Sequence, residues 1–120
     1  NTANVTDMKR LFGYKDDKEY YNGCQSLTSV GDLSNWDVSN VTNMWSMFDN
    51  TGYNSTKFNT TITIRNPNTT SYKYMFYAVA TQTGSQITVN YTSETSELVD
   101  QMINTKSSNS TQLSEKYILK

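Results

Sequence analysis

The sequence predicts an α/β solenoid of three to four short strand-loop-helix units stacked around a parallel sheet. Two observations carry this prediction. The pattern Asn-Val-Thr-x-Met-x-x-(Met/Leu)-Phe stands at Asn4–Phe12, returns at Asn40–Phe48, and is echoed loosely at Asn68–Phe76. Between and after the copies lie short stretches of strict alternation: Ile62 and Ile64 against Thr61, Thr63 and Arg65, then Ile87, Val89 and Tyr91 against Thr88 and Asn90. Period two with β-branched residues is the signal of a half-buried strand.

The elements follow in order. Val5, Met8, Leu11 and Phe12 sit at i, i+3, i+6 and i+7, as do Val41, Met44, Met47 and Phe48, and Thr69, Tyr72, Met75 and Phe76 echo them. This spacing places each set on one face of a two- to three-turn amphipathic helix. Asn40, with Ser39 before it, reads as the N-cap of the second helix. Extended segments are expected upstream of the later helices, at Leu27–Val30 with Leu33–Val38, at Thr61–Arg65 and at Gln86–Tyr91. A fourth helix is expected through Leu98, Val99, Met102 and Ile103, with Glu94 and Glu97 near its positive end. Copies separated by 36 and 28 residues bring successive strands side by side and parallel, the plan of a leucine-rich-repeat type of solenoid. Residues 104–120 read as a C-terminal cap or linker, in which Leu113, Tyr117, Ile118 and Leu119 would cover the last unit.

Within Cys24–Phe48, the run Leu33-Ser-Asn-Trp-Asp-Val-Ser-Asn-Val-Thr-Asn-Met-Trp-Ser-Met-Phe48 resembles the repeat of the BspA-like leucine-rich-repeat surface proteins of bacteria. Ile62–Phe76 and Ile87–Tyr91 with its helix resemble the closing repeats of such proteins. The resemblance covers most of residues 4–103 and departs from the pattern at Gly13–Gly23 and Gly52–Asn59. It implies a secreted or wall-attached protein engaged in adhesion or protein–protein contact, and it implies no catalytic residue.

Composition bounds the function. The 120 residues suit a single repeat domain spanning 1–120, and aliphatic residues are few. A lone unit would bury about four large side chains at ~1.5–3 kcal/mol each, too little to offset its ordering, so stacking is required. The first residue is Asn, and a helix motif follows almost at once. The expectation is the C-terminal portion of a longer surface protein. A net charge of −1 with scattered lysines argues against nucleic acid, and no apolar stretch reaches the length of a membrane span.

The chain has no histidine and one cysteine, Cys24, which removes Ser–His and Cys–His nucleophile pairs and thiolate zinc sites. Cys24 reads as a small apolar filler at a turn rather than a reactive thiol. Asp16, Asp17 and Glu19, among Lys15 and Lys18, read as a solvated charged loop rather than a cation site. Asp32 and Asp37 flank Trp36 and are weighed as a glycosidase pair, but Asp more commonly bonds backbone groups at turns. The expectation is no enzyme, no cofactor and no metal site. Asn-x-(Ser/Thr) sequons recur, three of them inside the motif copies at Asn4, Asn40 and Asn68.

The aromatics guide the binding prediction. Trp36 reads as structural. Trp45 would lie about 100° round the helix from Met44, off the apolar stripe, and is a candidate contact anchor. Tyr74 and Tyr77 flank Met75 and Phe76 in the same way, and Tyr14, Tyr20, Tyr21 and Tyr53 lie in the two departures from the pattern. The polar strand residues Thr61, Thr63, Arg65, Thr88 and Asn90 form a second candidate surface. The expected role is a monomeric, extracellular, non-catalytic module that binds a protein of a host or neighbouring cell. The alternatives are a carbohydrate-binding module and a spacer without a ligand.

Overall fold

Alternating residues form strands where the pattern is strongest. The computed structural model describes Thr2, residues 4–13 and residues 27–118. In it β1 (Asn59–Ile64) pairs with β2 (Gln86–Tyr91), and β2 pairs with β3 (Leu113–Tyr117). Both pairings are parallel, with Ile62 opposite Val89 and Val89 opposite Glu115. One helix, α1 (Ser96–Ile103), precedes β3. Ile62, Ile64, Ile87 and Val89 point into one core with Met44, Met47, Phe48, Met75, Phe76, Val99 and Met102. Each of these side chains is at most 1% exposed, so the scarce apolar residues are used almost completely. Tyr14, Tyr20, Tyr21, the Asp16–Glu19 cluster, Cys24 and Leu119 lie outside the described residues.

The architecture corrects the prediction. The described residues form one open three-stranded sheet with a single short helix, not a solenoid of three to four strand-loop-helix units. The helices expected at Asn4–Phe12, Asn40–Phe48 and Asn68–Phe76 are chains of turns, and Asn40 caps no helix. Hydrogen bonding gives the reason. Met47, Asp49, Thr51 and Tyr53 donate their backbone N–H to the carbonyls of Met44, Ser46, Phe48 and Asn50, three residues back, at 2.9–3.3 Å. Alternate residues donate elsewhere. Met44, Ser46, Phe48 and Asn50 reach across to the carbonyls of Ser71, Lys73, Met75 and Tyr77 at 2.7–2.9 Å. Met8, Arg10 and Phe12 reach in the same way to Asn43, Trp45 and Met47 at 2.8–2.9 Å. An α-helix needs each of these donors for its own carbonyl four residues back. Arg10, Ser46 and Tyr74, at matching positions of the three copies, also have φ of 57°, 55° and 59°, which no right-handed helix accommodates.

The apolar spacing still selects most inward residues, although Leu11, expected on the same stripe, is 47% exposed. Val41, Met44, Met47 and Phe48 are fully buried, because turn chain and helix both return to the same side at these positions. The phenylalanines stack across the copies, Phe12 on Phe48 at 5.4 Å and Phe48 on Phe76 at 5.7 Å between centroids. At the far end, hydroxyls replace the backbone acceptors. The N–H groups of Phe76, Ala78 and Val79 donate to Thr105, Ser107 and Ser110 at 3.0–3.1 Å. Residues 96–103 are thereby left to bond among themselves, and there the expected helix forms. The extended segments expected at Leu27–Val30 and Leu33–Val38 reduce to one isolated bridge between Leu33 and Ile62.

Candidate functional site

The motif turns carry a line of aromatic and cationic side chains. Asp7 and Asn43, at equivalent positions, each accept the backbone N–H two residues on, from Lys9 at 2.9 Å and Trp45 at 3.0 Å. These Asx turns start the bend, and the residue with positive φ completes it. The Trp45 carbonyl accepts the Arg10 N–H at 2.8 Å, which sets the two residues side by side. The Arg10 guanidinium then lies 4.7 Å from the Trp45 ring centroid. Trp45 meets Tyr74 edge-on at 6.1 Å, Tyr74 meets Tyr77 edge-on at 5.9 Å, and Lys73 Nζ stands 5.1 Å from the Tyr74 ring. Each such contact contributes ~0.5–1.5 kcal/mol, enough to hold the rings in one arrangement without burying them. Trp45, Tyr74 and Tyr77 are all half-buried.

The structure therefore joins three of the candidate residues into one strip and adds Arg10 and Lys73, which sequence reasoning missed. The signal was present in the spacing. Alignment of the copies puts Lys9, Trp45 and Lys73 in one column and Arg10, Ser46 and Tyr74 in the next. Trp45 is not an exposed helix anchor as expected. It occupies a turn and is covered on one side by Arg10.

Tyr53 stands apart. It is half-buried, its carbonyl accepts the Thr81 hydroxyl at 2.7 Å, and among the described residues its ring joins no part of the strip. Thr61 is half-buried on the outer sheet face, over a shallow depression of about 500 Å³ shared with Thr88, Asn90 and Lys116. That face bonds to itself. Asn90 Nδ2 donates to the Thr63 hydroxyl at 3.1 Å, and Gln86 Nε2 donates to Thr88 Oγ1 at 3.3 Å. Thr63, expected to face outward, is only 4% exposed, because it shares a recess with residues 34–39. Arg65 is exposed at the rim of the same recess.

Asp32 and Asp37 each fix a turn through the backbone two residues on. Asp32 Oδ1 and Asp37 Oδ1 each accept a backbone N–H, from Ser34 and Ser39, both at 2.9 Å. Hydrogen bonds from Ser34 hold Asp32 below the usual carboxylate range, and those from Ser39 do the same for Asp37. Among the described residues no group of three or more His, Cys, Asp or Glu side chains converges on a metal-sized space. No described helix is long and apolar enough to cross a membrane.

No curated protein and no solved structure matches the chain. One family does, described as "Mycoplasma protein of unknown function, DUF285", and the match runs over residues 1–116. This replaces the BspA-like leucine-rich-repeat resemblance, which was carried by Cys24–Phe48, Ile62–Phe76 and Ile87–Tyr91, and the described residues hold three strands and one helix instead of a repeat solenoid. With the match running over residues 1–116, the chain belongs to that DUF285 family.

Proposed function

We propose that the chain is a non-catalytic interaction module that binds a protein partner through Arg10, Trp45, Lys73, Tyr74 and Tyr77. The single observation behind this reading is the pre-ordered strip. Aromatic and arginine side chains dominate binding energetics because they present large contact area with a polar tip. Here their mutual contacts restrict rotamers in advance, which lowers the entropy cost of association. The partner we propose is a surface protein of a host or neighbouring cell, met outside the cell by a monomer. Positive charge at Arg10 and Lys73 suits an acidic partner patch, with a salt-dependent on-rate.

The test is binding of the purified chain to a panel of extracellular-matrix and cell-surface proteins, with Trp45→Ala and Tyr74→Ala alongside. The reading expects saturable binding that falls at least about tenfold in each variant while the melting temperature stays close to the parent. Equal binding by parent and variants would move the contact off the strip. No binding to any protein by the folded chain would remove the reading.

A further inference from the structure

Residues 34–39 and the end of β1 with the two residues after it line a second site, made of none of the strip residues. A recess of about 390 Å³ is lined in part by Trp36, Asp37, Ser39, Thr63, Arg65 and Asn66. It opens just past the carboxyl end of β1, where the strand stops at Ile64 and Arg65 and Asn66 continue as a loop. The volume falls in the ~300–1,000 Å³ range of small-molecule sites.

The lining chemistry is mixed and partly fixed in place. Asp37 is held by the Ser39 N–H at 2.9 Å, and the bonds from Ser39 keep its carboxyl below the usual range, so it is a standing acceptor. Thr63 is buried, and its hydroxyl is fixed by Asn90 at 3.1 Å. Trp36 is half-buried and braced by the Phe12 ring, with centroids 6.3 Å apart and planes at 33°. Arg65 is exposed and makes no side-chain hydrogen bond or ion pair among the described residues, so its donors are available. The recess thus carries one negative group and one positive group. A free anion would meet Asp37, and a free cation would meet Arg65. A neutral ligand rich in hydroxyls avoids both conflicts and uses both groups, since hydroxyls donate and accept.

We propose that this recess is a binding subsite for a neutral saccharide, in which Asp37 accepts from ring hydroxyls, Arg65 and Asn66 donate to them, and Trp36 provides apolar contact. This goes beyond the protein-binding strip, because it uses another surface and another class of ligand.

The experiment is backbone-amide NMR of the whole chain, titrated with maltotriose, cellotriose and tri-N-acetylchitotriose, with inorganic phosphate as the anionic comparison. Saturable shifts centred on Ser39, Arg65 and Asn66 are expected with at least one neutral sugar. Asp37→Asn, which keeps an acceptor for the Ser39 N–H, and Arg65→Ala are each expected to weaken binding by about tenfold, the scale of one lost charged hydrogen bond. Trp45→Ala is expected to leave the titration unchanged. Three results would each overturn the proposal. They are no saturable shift at these residues with any neutral sugar, preferential binding of phosphate, or unaltered affinity in both recess variants.

Discussion

At the residue scale, several positions hold backbone conformations that ordinary residues avoid. Arg10, Ser46, Asn50, Tyr74, Ala78 and Ala80 all have φ between 49° and 59°. Hydrogen bonds between segments hold these conformations, which cost ~1–3 kcal/mol in isolation: Arg10, Ser46 and Asn50 donate to the carbonyls of Trp45, Lys73 and Tyr77, and Ala78 donates to the Ser107 hydroxyl. Gly52, with φ of 66°, adds a second constraint, because a Cβ there would stand 2.7 Å from Cγ of the fully buried Phe58. Gly52→Ala is expected to lower stability by ~1–3 kcal/mol, the usual scale of overpacking. A urea unfolding curve with a lower midpoint and an unchanged slope would show it. Thr95 is the second sensitive residue. It is fully buried, donates its hydroxyl to the Ile64 carbonyl at 2.6 Å and accepts the Thr92 N–H at 3.0 Å. Thr95→Val keeps the shape and strands both partners, so a loss of ~1–3 kcal/mol is expected in the same assay.

At the scale of elements, β3 is an edge strand with its outer side open among the described residues. Glu115 lies in register with inward-facing Val89, so it carries a charge on the core side of an edge, a pattern that discourages further pairing. It stands near Asp100 of α1 and near Lys106. Partial burial raises its carboxyl first, then the hydrogen bond and like charge of Asp100, while Lys106 opposes them. A raised pKa in the folded state means that the contribution of Glu115 to stability is complete below its unfolded pKa. That contribution is lost as pH rises through the folded value. Glu115→Gln is therefore expected to raise the melting temperature near pH 7 and to change it little near pH 3, below the ordinary glutamate value of ~4.3. A melting series across that range checks the sign, and a variant equally stabilised at both ends would contradict it. Asp32 and Asp37 work in the opposite direction, since their lowered values give stability that is lost as pH falls through them.

At the scale of the whole molecule, the phenylalanine stack ties the motif turns together. Phe48 lies between Phe12 and Phe76 and is fully buried. Phe48→Ala removes both contacts and leaves a cavity, and a loss of ~3–5 kcal/mol is expected, a large share of the ~5–15 kcal/mol that holds a domain of this size. Thermal unfolding by circular dichroism would read this directly, and a loss under about 1 kcal/mol would show that the stack is not central. The same stack shows how far the sequence reaches. Apolar period and strand alternation were sufficient to name Val41, Met44, Met47, Phe48, Ile62, Ile64, Ile87 and Val89 as inward, because burial depends on side-chain chemistry and its spacing. The segments Gln86–Tyr91 and Leu98–Ile103 were legible for the same reason. The turn chains were not, since their apolar spacing is shared with a helix. The choice between the two is made by whether each N–H bonds within its own segment or to the neighbouring copy. Trp45, Tyr74 and Tyr77 were legible as aromatics outside the apolar stripe, but their union with Arg10 and Lys73 depends on which turns lie side by side. The recess likewise joins Trp36 and Asp37 to Thr63 and Arg65 from segments far apart in the chain. The sequence by itself determined most of the side chains that leave water, with Leu11 and Thr63 as exceptions, and where β1 and β2 run. Tertiary structure alone decided backbone hydrogen-bond partners and surface neighbours, because both are set between segments and leave no periodic trace within one.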